Sequence, residues 1–203
     1  MKIICIGYNY RPHIEELKAQ IPTVPVFFTK PDSAFLKKGQ PFYYPDFTKE
    51  LHYEAEVVVK INKVGKNISK KFANRYYNEI GFGIDFTARD LQNQCIAEGK
   101  PWEIAKAFDG AAPVGDFYNV SELGNVEDIT IKLEKNGEVV QHDSLKSLIF
   151  SIDDIIAYVS QFMTLKIGDL IYTGTPCGVG EVKIGDKLTG YINNKQALEL
   201  LVR

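Results

Sequence analysis

Ten residues constrain this chain most: His52-Tyr53-Glu54-Ala55-Glu56-Val57-Val58-Val59-Lys60-Ile61. Branched and aromatic side chains dominate the run, which reads as a strand. Period two puts Tyr53, Ala55, Val57, Val59 and Ile61 on one face and His52, Glu54, Glu56, Val58 and Lys60 on the other. Two glutamates therefore share one side of a segment that otherwise belongs in a core. An ionised acid is costly there unless a cation or hydrogen bonds compensate it. Gly83-Ile84-Asp85-Phe86 poses the same problem again, at the end of a second apolar run.

The 203 residues are enough for one sizeable core, and no Gly/Ser-rich linker, low-complexity run or internal repeat marks a boundary, so one domain over 1–203 is expected. A formal net charge of -2 with no long block of like charge excludes a nucleic-acid stripe and a polybasic membrane surface. A small-molecule partner is expected instead. The apolar run Met1 to Gly7 is too short for a signal peptide, and no stretch reaches the roughly 18 apolar residues of a membrane span, which gives a cytoplasmic address as the expectation. Cys5, Cys95 and Cys177 are odd in number and widely spaced, so they indicate neither a disulfide framework nor a zinc site.

Lys2 to Ile6 and Val26 to Thr29 read as strands, with a short helix between them in which Pro12 fits the first position and helix formers run from His13 to Lys18. Ser69 is placed to cap a helix through about Tyr77, and Glu79 to Phe86 returns as a strand ending at Asp85. Thr87-Ala88-Arg89-Asp90 has the spacing of a capping box opening a helix through about Glu98, closed by Gly99 and Pro101. Arg89 and Gln92, three apart, share a face of that helix. Asn136-Gly137 predicts a hairpin between Ile129–Glu134 and Val139–Gln141. Ser151 and Asp154 form a second capping-box pattern opening a helix through about Leu165. A strand follows Gly168, and a last hairpin turns at Asn193-Asn194. Strands outnumber helices without strict alternation, which predicts a β-rich α+β fold rather than a doubly wound sheet.

Glu54 and Glu56 can converge on one cation, and oxygen-only ligands suit Mg²⁺, Mn²⁺ or Ca²⁺. Taken alone, the commoner meaning of E-x-E is a solvated strand face. Asp85 precedes a helix N-terminus, where it suits either a ligand role or the helix dipole. His13 and Glu16, three apart on a helix, can form a pair in which the carboxylate orients the imidazole, or a surface pair worth little. Lys106, among small and apolar residues, is either a buried cation facing a substrate or a snorkelling side chain. Gly174-Thr175-Pro176-Cys177-Gly178 lacks the ending of a nucleotide-phosphate loop. It can present Thr175 and backbone N–H groups to a carboxylate or serve only as a turn. Cys177 as a nucleophile is the weaker alternative, since no histidine is near it in sequence.

Taken in order, Gly7-Tyr8-Asn9-Tyr10-Arg11-Pro12-His13, Thr29-Lys30-Pro31-Asp32-Ser33, His52-Tyr53-Glu54-Ala55-Glu56, Gly83 to Gln92, Pro101-Trp102 with Ala105 to Asp109, and Gly168 to Pro176 resemble the fumarylacetoacetate hydrolase (FAH) family. The likeness is to its small single-domain members: acylpyruvases, oxaloacetate decarboxylases and hydroxy-dienedioate isomerases. It implies a mixed β-roll, usually a homodimer, with Glu54, Glu56 and Asp85 as ligands of Mg²⁺ or Mn²⁺. It also implies His13 and Glu16 as a catalytic dyad and a pocket lined by Arg89, Gln92, Lys106 and Thr175. The implied reaction is C–C bond cleavage in a 2-oxo acid through a pyruvate enolate, with Lys106 assisting, or isomerisation of a hydroxy-dienedioate. Many relatives carry arginine where Tyr8 stands. A non-catalytic protein that binds a cation and an oxo acid is the alternative from another class.

Overall fold

The structure is a computed structural model and describes residues 1–17 and 20–203. A seven-stranded mixed sheet organises it, in the order Val26–Lys30, Ile3–Gly7, Leu170–Tyr172, Ala55–Ile61, Tyr77–Ile84, Ala112–Asn119 and Phe35–Lys37. Ile3–Gly7 runs parallel to Leu170–Tyr172, and Phe35–Lys37 parallel to Ala112–Asn119; the remaining neighbours are antiparallel.

Ala55–Ile61 lies mid-sheet, and Val57, Val58 and Val59 are all fully buried. Alternation along this strand therefore separates two covered faces rather than a dry one from a wet one. A four-stranded antiparallel sheet of Glu138–Ser144, Thr130–Lys135, Lys187–Ile192 and Lys195–Leu201 packs against the large sheet. Gly190 permits the approach: a Cβ there would lie 2.2 Å from the Phe82 ring. One apolar core, from Ile3 to Val202, joins the layers.

Short helices sit around the sheets, giving the β-rich α+β fold that the order of elements predicts and the mixed β-roll that the resemblance implies. Helix Ile152–Phe162 carries the expected capping box: the Ser151 hydroxyl accepts from Asp154 N–H and the Asp154 carboxylate accepts from Ser151 N–H, both at 3.2 Å. It stops short of Leu165 because Met163 is already extended. The hairpin at Asn136-Gly137 forms with both residues at positive φ, the geometry of the favoured two-residue turn. The first helix is Arg11–Leu17, with Pro12 second rather than first; Lys18, the last residue of the expected helix, lies outside the described residues.

Sheet pairing overrides local propensity at three places. The helix after Ser69 spans only Lys70–Ala73, because Tyr77 pairs with Ile61 and the chain must turn before it. The expected run His52–Ile61 is two strands, Leu51–Tyr53 and Ala55–Ile61, broken at Glu54. Thr87 does not cap a helix: it pairs with His52 in a small sheet of Gly180–Glu181, Leu51–Tyr53 and Thr87–Ala88. Asp90 instead ties the start of helix Arg89–Glu98 to Lys49 N–H at 3.0 Å. Among the described residues, no helix is long and apolar enough to cross a membrane.

Candidate active site

Three stretches pass between the seven-stranded and three-stranded sheets at one place. Glu54 lies between Leu51–Tyr53 and Ala55–Ile61, Asp85 between Tyr77–Ile84 and Thr87–Ala88, and the segment 173–179 between Leu170–Tyr172 and Gly180–Glu181. Backbone bonds hold the crossings together. Asp85 N–H donates to Glu54 O at 2.8 Å, and Thr173 N–H to Val57 O at 3.0 Å. Gly174 N–H donates to Glu56 Oε2 at 2.7 Å. Only glycine suits position 174, where φ is +104° and a Cβ would sit 2.9 Å from that of Asn9.

This arrangement brings a carboxylate oxygen from each of Glu54, Glu56 and Asp85 within 4.8 Å of the others. All three residues are buried, at 7%, 2% and 1% exposure, so the solvated-face alternative for Glu54 and Glu56 is overturned. Glu54 stands at the break between its two strands, Asp85 just past the end of Tyr77–Ile84, and Glu56 within Ala55–Ile61, a strand whose two faces are both covered.

Cations face two of the three acids. Lys106 Nζ lies 2.7 Å from Glu54 Oε2 and 2.9 Å from Asp85 Oδ2, and Arg89 bonds Glu54 Oε1. Burial alone would raise the Glu54 carboxyl, but Lys106 and Arg89 outweigh it and hold Glu54 well below the usual range. Burial likewise disfavours the Lys106 ammonium, yet Asp85 and Glu54 raise it above its ordinary value. Lys30 lies 2.6 Å from Asp85 Oδ1 but directs its hydrogen bonds to Ala111 O and Phe86 O, at 2.8 and 3.2 Å, so this contact is an ion pair without hydrogen-bond geometry. Glu56 is different. Burial first, then Asp85 and Glu54, push its carboxyl well above the usual range despite Gly174 N–H and Lys106. The cluster lacks positive charge at Glu56, and three converging carboxylate oxygens are the donor set a hard divalent cation takes.

The acids line a cavity of about 290 Å³ shared with His13, Arg89, Gln92, Lys106 and Thr175. Eight of the nine residues singled out from sequence thus meet on one surface. Glu16 stands behind it: its Oε2 lies 3.1 Å from His13 Nδ1, and its side chain is 44% exposed. Arg89 reaches the cavity with its guanidinium already engaged by Glu54 and Gln92. Tyr8, Phe28 and Trp102 form an aromatic wall, with Trp102 edge-on to both rings at 6.4 and 5.8 Å. Tyr8 holds a positive φ of 56°, an uncommon conformation for a bulky residue.

The residues from 2 to 202 match the family model described as fumarylacetoacetate (FAA) hydrolase C-terminal. The chain belongs to the fumarylacetoacetate hydrolase family. It is 38% identical over 200 residues to the mitochondrial oxaloacetate tautomerase FAHD1 of Bos taurus, covering 98% of this chain and 90% of that protein. Among solved structures, it resembles the fumarylpyruvate hydrolase of Pseudomonas aeruginosa in complex with Mn²⁺ and pyruvate, with a TM-score of 0.93, 37% identity, and coverage of 100% of this chain and 89% of that one. It also resembles the 2-hydroxyhepta-2,4-diene-1,7-dioate isomerase of Mycobacterium marinum, with a TM-score of 0.86, 32% identity, and coverage of 99% and 73%.

Family membership makes the chain an enzyme and removes the non-catalytic alternative. Cys177 fares poorly as a nucleophile: it is absent from the cavity lining, and burial, then Glu16 and Asp143, raise its thiol above the ordinary value. Sequence reasoning missed Lys30, Gln141 and Asn9 as supports of the site. Lys30 stands in Thr29-Lys30-Pro31-Asp32-Ser33, one of the segments that resemble the family, but nothing local marks it as buried. Asn9 caps the loop after the first strand, donating to Thr173 O at 2.8 Å and accepting from Phe150 N–H at 2.8 Å.

Proposed function

We propose that residues 1–203 act as one catalytic domain on a short 2-oxo dicarboxylate, with keto–enol tautomerisation of oxaloacetate as the activity, and that Glu54, Glu56 and Asp85 hold the Mg²⁺ or Mn²⁺ it uses. The observation that carries this is a converging triad of buried carboxylates beside an oriented histidine in one small cavity. Its size, near the lower end of the roughly 300–1,000 Å³ typical of ligand pockets, suits a compact acid. Charge supports a dianion: Lys30, Lys106 and Arg89 balance the three acids, and a divalent cation then leaves two positive charges for the substrate to match. The bovine relative carries the name of an oxaloacetate tautomerase.

A divalent cation held by Glu54, Glu56 and Asp85 would supply Lewis acidity that makes the C3 protons of a 2-oxo acid more acidic. The chain's own residues do the rest. An ionised Glu16 only accepts, so His13 Nδ1–H donates to it, and in the neutral imidazole Nε2 is then the nitrogen with the free lone pair. Nε2 takes a proton from C3 and returns one to the C2 oxygen, giving the enol. Thr175 and Gln92 bind the substrate carboxylate, Arg89 and Lys106 keep Glu54 ionised, and Tyr8, Phe28 and Trp102 exclude water along one wall.

Hydrolysis of an acylpyruvate is the second reading, favoured by the 37% identical fumarylpyruvate hydrolase. There His13 accepts its proton from water instead. A panel of oxaloacetate, fumarylpyruvate, acetylpyruvate and a hydroxy-dienedioate, each assayed with Mg²⁺ and with Mn²⁺, separates the readings. Fastest turnover of oxaloacetate is expected, and no turnover of any of the four refutes both. The same proposal includes a homodimer, since exposed Met1, Phe47 and Ile104 line a broad apolar groove that a second copy would cover.

A further inference from the structure

Gln141 comes from the four-stranded sheet and reaches into a site built by other strands. Its strand, Glu138–Ser144, shifts register between Val139 and Gln141, and this irregularity turns the side chain inward to 2% exposure. Gly178 lets the loop carrying Thr175 close on the same strand, because a Cβ there would sit 2.3 Å from Val140 O.

The Gln141 amide has one orientation that chemistry allows. Ala55 N–H, the peptide between the two glutamates, donates to Oε1 at 2.9 Å. Nε2 donates to Pro176 O and to Thr175 Oγ1, both at 2.9 Å. Ala55 N–H can only donate and Pro176 O can only accept, so the oxygen and nitrogen ends are fixed. Thr175 Oγ1 must therefore accept from Gln141, and its own hydrogen is left for another partner. Among the described residues no protein acceptor takes it, and Thr175 lines the cavity.

We propose that Gln141 is a positioning residue that locks the Thr175 hydroxyl as a hydrogen-bond donor toward a ligand carboxylate, from a peptide anchored between Glu54 and Glu56. This rests on the assignment of Thr175 as a substrate contact made above. The role runs through one hydroxyl, so it predicts a coupling and not merely a loss.

The test is a double-mutant cycle on pyruvate binding to protein saturated with Mn²⁺, read by calorimetry, with Mn²⁺ affinity measured separately to guarantee saturation. Thr175→Val and Gln141→Met are each expected to weaken pyruvate by about tenfold, the scale of one hydrogen bond to a charged group. The double variant is expected to bind no more weakly than Thr175→Val alone. Full additivity of the two losses overturns the inference while leaving Thr175 as a contact. No effect of Thr175→Val removes that contact, and the inference with it, without touching the cation site. If Gln141→Met fails to fold, Gln141→Leu takes its place: it is also neutral and offers Thr175 Oγ1 no amide hydrogen to accept, so the same non-additive loss is expected.

Discussion

Glu56 carries the site's tension, because it is buried beside two other acids with only a backbone N–H and a shared lysine to offset it. Its carboxyl is raised above the unfolded value, so the folded state holds a proton more tightly than the unfolded state does. That contribution to stability is full below the ordinary carboxylate range and is lost as pH rises through the folded value. Glu56→Gln removes the titration and can still accept from Gly174 N–H. Thermal melts of the metal-free protein should therefore show the variant gaining on the wild type as pH rises from 4 toward 7, while Mn²⁺ binding is lost. A constant difference across pH would contradict this. His13 separates chemistry from cation binding. His13→Ala should cost about 10²–10⁴-fold in kcat on oxaloacetate with Mn²⁺ affinity retained, the range for removal of a general base. Glu16→Gln should cost less, since an amide oxygen can still accept from Nδ1–H and orient the ring while the negative charge that favours the imidazolium is lost. The sequence revealed these residue types and their spacing, but not the charge balance: Lys30 reaches Asp85 across a separation of fifty-five positions that no local pattern reports.

Strand breaks and crossings, rather than complete strands, build the site. A glutamate at the head of a Val-rich run reads as part of a regular strand, and only pairing with Thr87–Ala88 and Gly180–Glu181 reveals that Glu54 stands between two sheets. The same cause defeated the helix start at Thr87, where local capping chemistry competes with ladder bonds and loses. Local signals succeeded where no long-range pairing opposed them: the Ser151 cap, the Asn136-Gly137 hairpin and the left-handed Gly99 that ends its helix. Close packing of the two larger sheets is an element-scale property with a direct check. Gly190→Ala places a methyl in the Phe82 ring and should destabilise the protein by roughly 1–3 kcal/mol in urea unfolding, the usual cost of overpacking. An unchanged midpoint would mean that the sheets have room between them.

At the scale of the whole molecule, the order of motifs along the chain was more informative than any one of them. E-x-E alone favours a wet strand, yet the same pair followed by Asp85, Arg89, Gln92 and Lys106 converges on one cavity. Strands Ala112–Asn119 and Phe35–Lys37 were not legible, because their partners lie far away in sequence and their own patterns are weak. The central claim is that a buried acid triad holds a divalent cation that the His13 chemistry requires. Chelator-treated protein titrated with Mn²⁺ while oxaloacetate tautomerisation is followed tests it most directly. Activity should be absent at the start, rise with added Mn²⁺ and level off at one ion per chain. Full activity before any Mn²⁺ is added would contradict the claim.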